Sequence, residues 1–134
     1  MTISLFRRTR RRQADEAERN RSALDQQALD QQALDEAIEH QRAHRLAHAG
    51  RLCEKVLQRN PASAPALHRL GLITYEQGDR EGAAALIRRA IWAQPQIAHF
   101  HCDLGVVLES LGRLDEAIAA YDAALRLRPH FITA

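Results

Sequence analysis

Three histidines spaced four residues apart have the side chains and the spacing of a transition-metal site. His40, His44 and His48 would lie on one face of a single helix, where three imidazole nitrogens could share one ion. The repeat pattern described below, however, predicts that residues 43–46 form a turn between two helices. Because the three side chains then belong to different elements, we expect no metal site there.

A second group, His99, His101 and Cys102, has suitable donor atoms but an unsuitable spacing. On a helix, positions 99 and 101 diverge by about 200°, so the two imidazoles would point to different sides. Cys53 and Cys102 are far apart and have no metal-like spacing, and two such cysteines do not indicate a disulfide scaffold. We therefore predict no metal, no cofactor and a location in the reducing cytoplasm.

A dense cationic cluster near the start of the chain consists of Arg7, Arg8, Arg10, Arg11 and Arg12. It could contact nucleic acid or an anionic membrane surface, with Leu5 and Phe6 as a shallow anchor. The alternative is a solvated tail, which is favoured because acidic residues follow directly and no aromatic residues interleave with the arginines. Residues 1–13 are expected to be a basic, disordered tail.

Composition and charge indicate a helical protein whose basic character is confined to the start of the chain. The net charge is +2, but residues 1–21 alone contain seven arginines and three acids, so the basic character belongs to the start of the chain. The sequence is 46% hydrophobic and only 4% aromatic, which favours helices with small interior residues. No phosphate-binding loop, nucleophile elbow or long apolar span is present, and we predict neither an enzyme nor a membrane-spanning protein.

A 34-residue repeat organises the elements that position these side chains. Residues 64–97 align with residues 98–131, and every equivalent pair is 34 positions apart. The pairs include Leu70 and Leu104, Gly71 and Gly105, Gly78 and Gly112, Ala83 and Ala117, Ala90 and Ala124, and Pro95 and Pro129. A third, weaker copy lies upstream, where the corresponding residues are Ala37, Ala49, Val56 and Pro61, and where His44 replaces the turn glycine.

Each repeated residue type has a physical reason. Gly71 and Gly105 lack side chains, so two helices of one repeat can approach closely there. Gly78 and Gly112 suit the left-handed residue at a helix end, and Pro61 cannot extend a helix. The pattern predicts six helices, near residues 30–43, 46–58, 64–77, 80–92, 98–111 and 114–127.

A pentad repeat, Ala-Leu-Asp-Gln-Gln, begins at Ala23 and runs into the first copy. A five-residue step rotates by about 140° around a helix, so Leu24 and Leu29 point to different sides and form no continuous seam. We predict that residues 14–29 are a helical extension and not a coiled coil.

The period and the repeated positions resemble the tetratricopeptide repeat family, whose signature is W-x2-L-G-x2-Y, then A-x3-F, then P. The best copy reads Leu67-x2-Leu70-Gly71-x2-Thr74, followed by Ala83-x3-Ile87 and Pro95. The resemblance implies an all-α fold: a right-handed α-solenoid of three helix-turn-helix pairs after the N-terminal extension. The repeats would cover residues 30–63, 64–97 and 98–131.

The resemblance also implies the binding surface, which is a concave groove lined by the first helix of each pair. The expected groove residues are Leu34, Ile38, Gln41, Arg42, His68, Leu72, Tyr75, Glu76, His99, Cys102, Val106 and Glu109. Family members that clamp a chaperone C-terminus or hold a peptide backbone use lysine or asparagine there, and neither set is present. The expected function is a scaffold or adaptor that binds a peptide or a helix.

Two alternative functions and one further contact stay open. The chain resembles repeat arrays that precede glycosyltransferase or other transferase domains in bacterial proteins, so it could be the repeat module of a larger enzyme. It could also be an adaptor whose arginine tail contacts nucleic acid or a membrane. A self-associating C-terminal face is expected as well, formed by Tyr121, Leu125 and Phe131 with parts of Leu104, Leu108 and Leu111.

Overall fold

A computed structural model describes residues 2–128 and shows six α-helices over that part of the chain. The helices are α1 (Thr2–Arg42), α2 (Leu46–Arg59), α3 (Ala64–Glu76), α4 (Arg80–Ala93), α5 (Ala98–Ser110) and α6 (Leu114–Leu127). The chain divides into two units, Met1–Gln32 and Ala33–Ala134. The all-α repeat fold is confirmed. The predicted Pro129 and the C-terminal end of the last repeat lie outside the described residues.

The first unit consists of helical residues whose side chains are almost all exposed. Residues 2–13, for which the sequence predicted a disordered tail, belong to α1, which is helical from Thr2 onward. No proline or glycine interrupts the chain before Gly50, so nothing in the sequence breaks this helix. Within it, the Thr9 hydroxyl donates a hydrogen bond to the carbonyl oxygen of Leu5 at 2.8 Å. Within residues 2–128, no helix is long and apolar enough to cross a membrane.

The turn between the two helices of each repeat has the same backbone geometry and the same backbone hydrogen bond in all three repeats. His44, Gly78 and Gly112, spaced 34 apart, have positive φ values of 60°, 97° and 77°. The amide of the next residue closes a six-residue loop each time, from Arg45 to His40 at 2.8 Å and from Asp79 to Thr74 at 3.1 Å. This is the pairing of a Schellman motif, which satisfies the last carbonyls of a helix. The predicted left-handed glycines are confirmed.

Local capping explains where the helices of the second repeat begin. The Ser63 hydroxyl accepts a bond from the amide of Ala66 at 3.4 Å, and Pro65 follows in the first turn of α3. The Asp79 carboxylate accepts from the amide of Gly82 at 2.9 Å and starts α4. These caps fix α3 and α4 in register with the preceding turns.

The core of the second unit lies between the helices of successive repeats. Helices α3 and α5 each pack on the second helix of their own repeat and on that of the preceding repeat. The small residues predicted at the crossings are buried: Ala83, Ala90 and Ala124 are fully inaccessible. A Cβ at Gly71 would lie 2.8 Å from Ile87 Cγ1, and one at Gly105 would lie 2.7 Å from the ring of Tyr121. The glycines therefore permit the close helix crossing that the sequence indicated.

Candidate functional site

The first helices of the three repeats present one surface, which we call the A-helix face. It comprises residues 33–42 of α1 together with α3 and α5. Side-chain contacts join neighbouring first helices, and two of them link residues 35 positions apart. Gln41 donates to Glu76 between α1 and α3, and His68 contacts Asp103 between α3 and α5. One repeat plus one residue separates the partners in both contacts, which lie seven positions, about two helical turns, apart within the repeat.

An apolar row follows the A-helix face with one residue in each repeat. Ile38, Leu72 and Val106 are 34 positions apart and occupy equivalent places. Ile38 and Leu72 are half-buried, and Val106 is 45% exposed. An apolar side chain is therefore left open to solvent at the same position of each repeat, on the surface that polar contacts hold together.

Polar side chains border the row at the junction of the first two repeats. The Gln41 amide donates to Glu76, and its oxygen accepts from Arg69 Nη1 at 3.1 Å. Arg42 is exposed and lies 3.7 Å from Glu39, a solvent-screened pair that leaves its guanidinium accessible. This edge therefore holds Arg69 and Glu76 in one network through Gln41, with the accessible guanidinium of Arg42 beside it.

The junction of the second and third repeats holds two histidines around one carboxylate. His68 Nε2 lies 2.5 Å from Asp103 Oδ2, and His99 Nε2 lies 3.5 Å from the same oxygen. His68 is only 6% exposed, and its ring stacks on Phe100 with centroids 4.6 Å apart. Sequence analysis missed Asp103, although its four-residue spacing from His99 on one helix was a usable signal.

A phenol on α6, Tyr121, and a thiol on α5, Cys102, lie near the far end of the face, and both have raised pKa values. Tyr121 donates its hydroxyl to Glu109 Oε2 at 2.9 Å, and burial followed by this bond raises the pKa of Tyr121 to about 12. Burial also raises the pKa of the Cys102 thiol, and the negative charge of the Asp103 carboxylate raises it further. Thiolates and not thiols are the nucleophiles, so the raised pKa of Cys102 disfavours nucleophilic chemistry at this thiol.

The twelve expected groove residues do not all offer surface. Leu34 is 7% exposed and packs in a core cluster with Ala37, Ala49 and Cys53, and His68 is 6% exposed, so these two expected residues offer little surface to a ligand. Leu34, His68 and Cys102 are equivalent in register, and this position faces the packing between helices. The other expected residues are half-buried or exposed on the A-helix face: Ile38, Gln41, Arg42, Leu72, Tyr75, Glu76, His99, Cys102, Val106 and Glu109.

The first histidine group is divided among elements, as the sequence predicted. His40 lies on α1, His44 lies in the left-handed turn, and His48 lies on α2. The rings of His40 and His48 nevertheless meet edge to face with centroids 4.1 Å apart. Burial of the ring, then the neighbouring His48 and Arg45, lower the pKa of His40. Its Nδ1 is buried and has no hydrogen-bond partner among residues 2–128.

The remaining candidates are either buried or isolated on exposed helix. Cys53 is fully buried, and burial raises the pKa of its thiol to about 11, which agrees with the predicted inert core position. The arginines of the first unit are exposed along α1: Arg7, Arg8, Arg10, Arg11 and Arg12. His101 Nε2 lies 2.9 Å from the carbonyl of Pro95 and takes no part in the cluster around Asp103.

Two apolar surfaces were missed or misplaced by sequence analysis. Trp92, on α4, is 90% exposed. On α6 the solvent-exposed apolar side chains are Leu114, which is 59% exposed, Ile118, which is 58% exposed, and Leu125, which is 37% exposed. The expected C-terminal set is corrected, since Leu104 and Leu108 are buried against Ala83, Ala84 and Ile87 of the preceding repeat. Phe131 lies outside the described residues.

Comparison with known proteins agrees with the geometry. A family model described as tetratricopeptide repeat matches residues 34–96 and 68–130. A mutant of the O-GlcNAc transferase of Thermobaculum terrenum is 38% identical over 79% of this chain, with a TM-score of 0.75. The chain spans only 20% of that transferase.

Two structures of MamA share the fold at lower identity. One is 23% identical with a TM-score of 0.71, over 83% of this chain and 66% of MamA. The other is 24% identical with a TM-score of 0.70, over 76% of this chain and 56% of MamA. No curated protein matches the chain significantly. Because the family model covers most of the three repeats that the structure shows, the chain belongs to the tetratricopeptide repeat family.

Proposed function

We propose that the chain is a protein-interaction scaffold that binds a peptide or a helix along the A-helix face. The observation that supports this most directly is the row of Ile38, Leu72 and Val106, which leaves one apolar side chain partly open in each repeat. Stacked repeats of this kind form extended binding surfaces, and a linear ligand can contact equivalent positions in turn. The repeat spacing therefore matches an elongated partner better than a small molecule.

The polar border of the row indicates what the partner must supply. Arg42 and Glu76 lie on one side, and Glu109 lies further along the face. Gln41 and Glu76 already bond to each other, which holds the border in place before a partner arrives. Because preorganised groups lose less entropy on binding, a partner with an apolar ridge flanked by polar side chains fits this surface. Free thiols at Cys53 and Cys102 suit the cytoplasmic location that belongs to this proposal.

A non-catalytic role is part of the proposal. The thiol of Cys102 on the face and the phenol of Tyr121 on the adjoining α6 have raised pKa values, which is the wrong direction for a nucleophile. A second candidate is a repeat module of a larger transferase system, favoured by the 38% identity to the O-GlcNAc transferase. In that case the catalytic domain lies outside these repeats, and the A-helix face guides its protein substrate.

Two further contacts are compatible with either role. The bare row on α6, formed by Leu114, Ile118 and Leu125, could pair with a second copy of the chain. The exposed arginines of α1 could contact nucleic acid or an anionic membrane. The latter contact would weaken steeply with salt and would be lost on removal of residues 1–13.

Affinity capture from the native cytosol tests the proposal, with captured proteins quantified by mass spectrometry. Three baits are compared: the wild type, a Leu72→Glu/Val106→Glu variant, and an Ile118→Glu control that changes an equally apolar, exposed residue on α6. A partner retained by the wild type and the control but lost from the double variant supports the A-helix face. A partner that the folded double variant retains places the interaction elsewhere.

A further inference from the structure

Three metal-binding side chains from two repeats converge on the A-helix face. His68 comes from α3, and His99 and Asp103 come from α5. One ligand atom from each residue lies within 4.8 Å of the other two. Within residues 2–128, these three side chains are the histidine, cysteine or acidic group whose ligand atoms all lie within 4.8 Å of one another. The histidines at 40, 44 and 48 do not come together in this way.

The spacing of the ligand atoms is close to that of a bound first-row transition ion. Zinc is bound by imidazole nitrogen at about 2.0–2.1 Å and by carboxylate oxygen at about 2.0–2.2 Å, in tetrahedral geometry, which places neighbouring ligand atoms about 3.4 Å apart. His99 Nε2 already lies 3.5 Å from Asp103 Oδ2. His68 Nε2 lies 2.5 Å from that oxygen, so the carboxylate must move back by about 1 Å.

The two helices give the three ligands different mobilities. His68 is 6% exposed and is held by the ring of Phe100, so its nitrogen is a fixed point. His99 has a side chain 59% exposed, and Asp103 one 22% exposed, so both can adjust around an ion. His99 and Asp103 stand four residues apart on one helix and therefore share a face. A rigid ligand with two adjustable ones can form a site by side-chain rotation alone.

The donor set indicates the class of ion. Two imidazoles and one carboxylate suit zinc and related divalent transition ions, whereas magnesium and calcium prefer all-oxygen sites. With three protein ligands, a fourth position stays open, and the 59% exposure of the His99 side chain leaves the cluster accessible to solvent.

The geometry points to a divalent transition-metal site, of the zinc class, formed by His68, His99 and Asp103. A bound ion would join the second and third repeats through side chains from both, and its open position could accept a histidine, cysteine or carboxylate from a docked partner. This site goes beyond the proposed interaction function and does not depend on it, because the ion is bound by the chain alone.

Calorimetric titration of the purified full chain with Zn²⁺ tests the site, with Co²⁺ absorption in the visible range as a second measurement of coordination by nitrogen and oxygen. We expect one equivalent of Zn²⁺ to bind. His99→Ala and Asp103→Asn should each weaken binding at least tenfold, since even outer-shell partners of a metal contribute 10–100-fold. The matched controls His101→Ala and His48→Ala should bind Zn²⁺ as the wild type does, and Mg²⁺ should not compete.

Folding is monitored so that the result can be interpreted. His99 is exposed, so His99→Ala should keep the wild-type circular dichroism spectrum and melting temperature without metal. Added Zn²⁺ should raise the melting temperature of the wild type, because an ion that binds only the folded state stabilises it, and should leave that of His99→Ala unchanged. No Zn²⁺ binding by the wild type would overturn the site. So would binding that survives in His99→Ala or disappears in His48→Ala.

Discussion

The close crossing of α3 and α4 at Gly71 provides a quantitative test of the packing. A Cβ added at Gly71 would lie 2.8 Å from Ile87 Cγ1 and 3.3 Å from the carbonyl oxygen of Ala83. Ile87 is fully buried, and its Cγ1 lies next to the backbone, so the clash cannot be relieved by rotation of a flexible side-chain end. The two helices would have to separate.

The expected magnitude follows from two opposing effects of Gly71→Ala. Overpacking of a tight interior costs about 1–3 kcal/mol. Replacement of a helical glycine by alanine contributes about 0.5–1 kcal/mol in the other direction. The net loss in the free energy of unfolding should therefore be about 0.5–2 kcal/mol, and Gly71→Leu, which adds more volume, should unfold most of the protein.

Gly50→Ala is the matched control, because it makes the same chemical change in a helix with room for it. Its Cβ would meet Leu70 Cδ1 at 3.8 Å and Ile73 Cγ2 at 3.9 Å, which are ordinary contact distances. Gly50→Ala should thus stabilise the chain by about 0.5–1 kcal/mol. Urea denaturation followed by circular dichroism measures both variants. The packing argument is refuted if Gly71→Ala is as stable as Gly50→Ala.

Three other predictions concern the turn, a buried thiol and the tryptophan. His44→Gly should raise the free energy of unfolding by about 0.5–1 kcal/mol, because a left-handed residue with a Cβ is strained, and Gly78→Ala should lower it by a similar amount. Denaturant melts that show the opposite order would refute this account of the turn. The Cys53 thiol should titrate near pH 11 in a Cys102→Ser background, followed by thiolate absorbance. Because its folded-state pKa is above its ordinary value of 9.0, the stability that Cys53 contributes is complete below pH 9 and declines towards pH 11, a decline that Cys53→Ala should lack. The single tryptophan, Trp92, is 90% exposed, so native emission should be that of a hydrated indole and should be quenched by acrylamide nearly as in urea; a blue-shifted, protected emission would contradict its placement.

Sequence analysis predicted the repeats well because their signal is redundant. Gly78 and Gly112 indicated helix ends, and His44, which the repeat register places at the same position, also has a positive φ. Three registered copies fix helix boundaries that a single copy would leave open. Residues 2–13, expected to be a disordered tail, are helical in the structure, because a run of charged residues also has high helix propensity when no proline or glycine interrupts it.

The candidate site could be predicted only in part, because side chains from different repeats meet in it. Leu34 and Ile38 are both apolar and one turn apart, yet the structure buries the first and leaves the second half-exposed. The contact of His68 with Asp103 joins residues 35 positions apart, which no local spacing rule indicates. Periodicity identifies the helix that lines a face, but the rotation of that helix against its neighbour decides which residues are accessible.

The central claim is that the A-helix face binds the partner, and a direct affinity measurement tests it. The captured partner, once purified, is titrated by calorimetry into the wild type, the Leu72→Glu/Val106→Glu variant and the Ile118→Glu control, each verified as folded by circular dichroism. Loss of two desolvated apolar contacts and burial of two charges should weaken binding by more than 2 kcal/mol, about a thirtyfold change or more, in the double variant alone. Equal affinity of the double variant and the wild type, or loss of affinity only in Ile118→Glu, would contradict the claim.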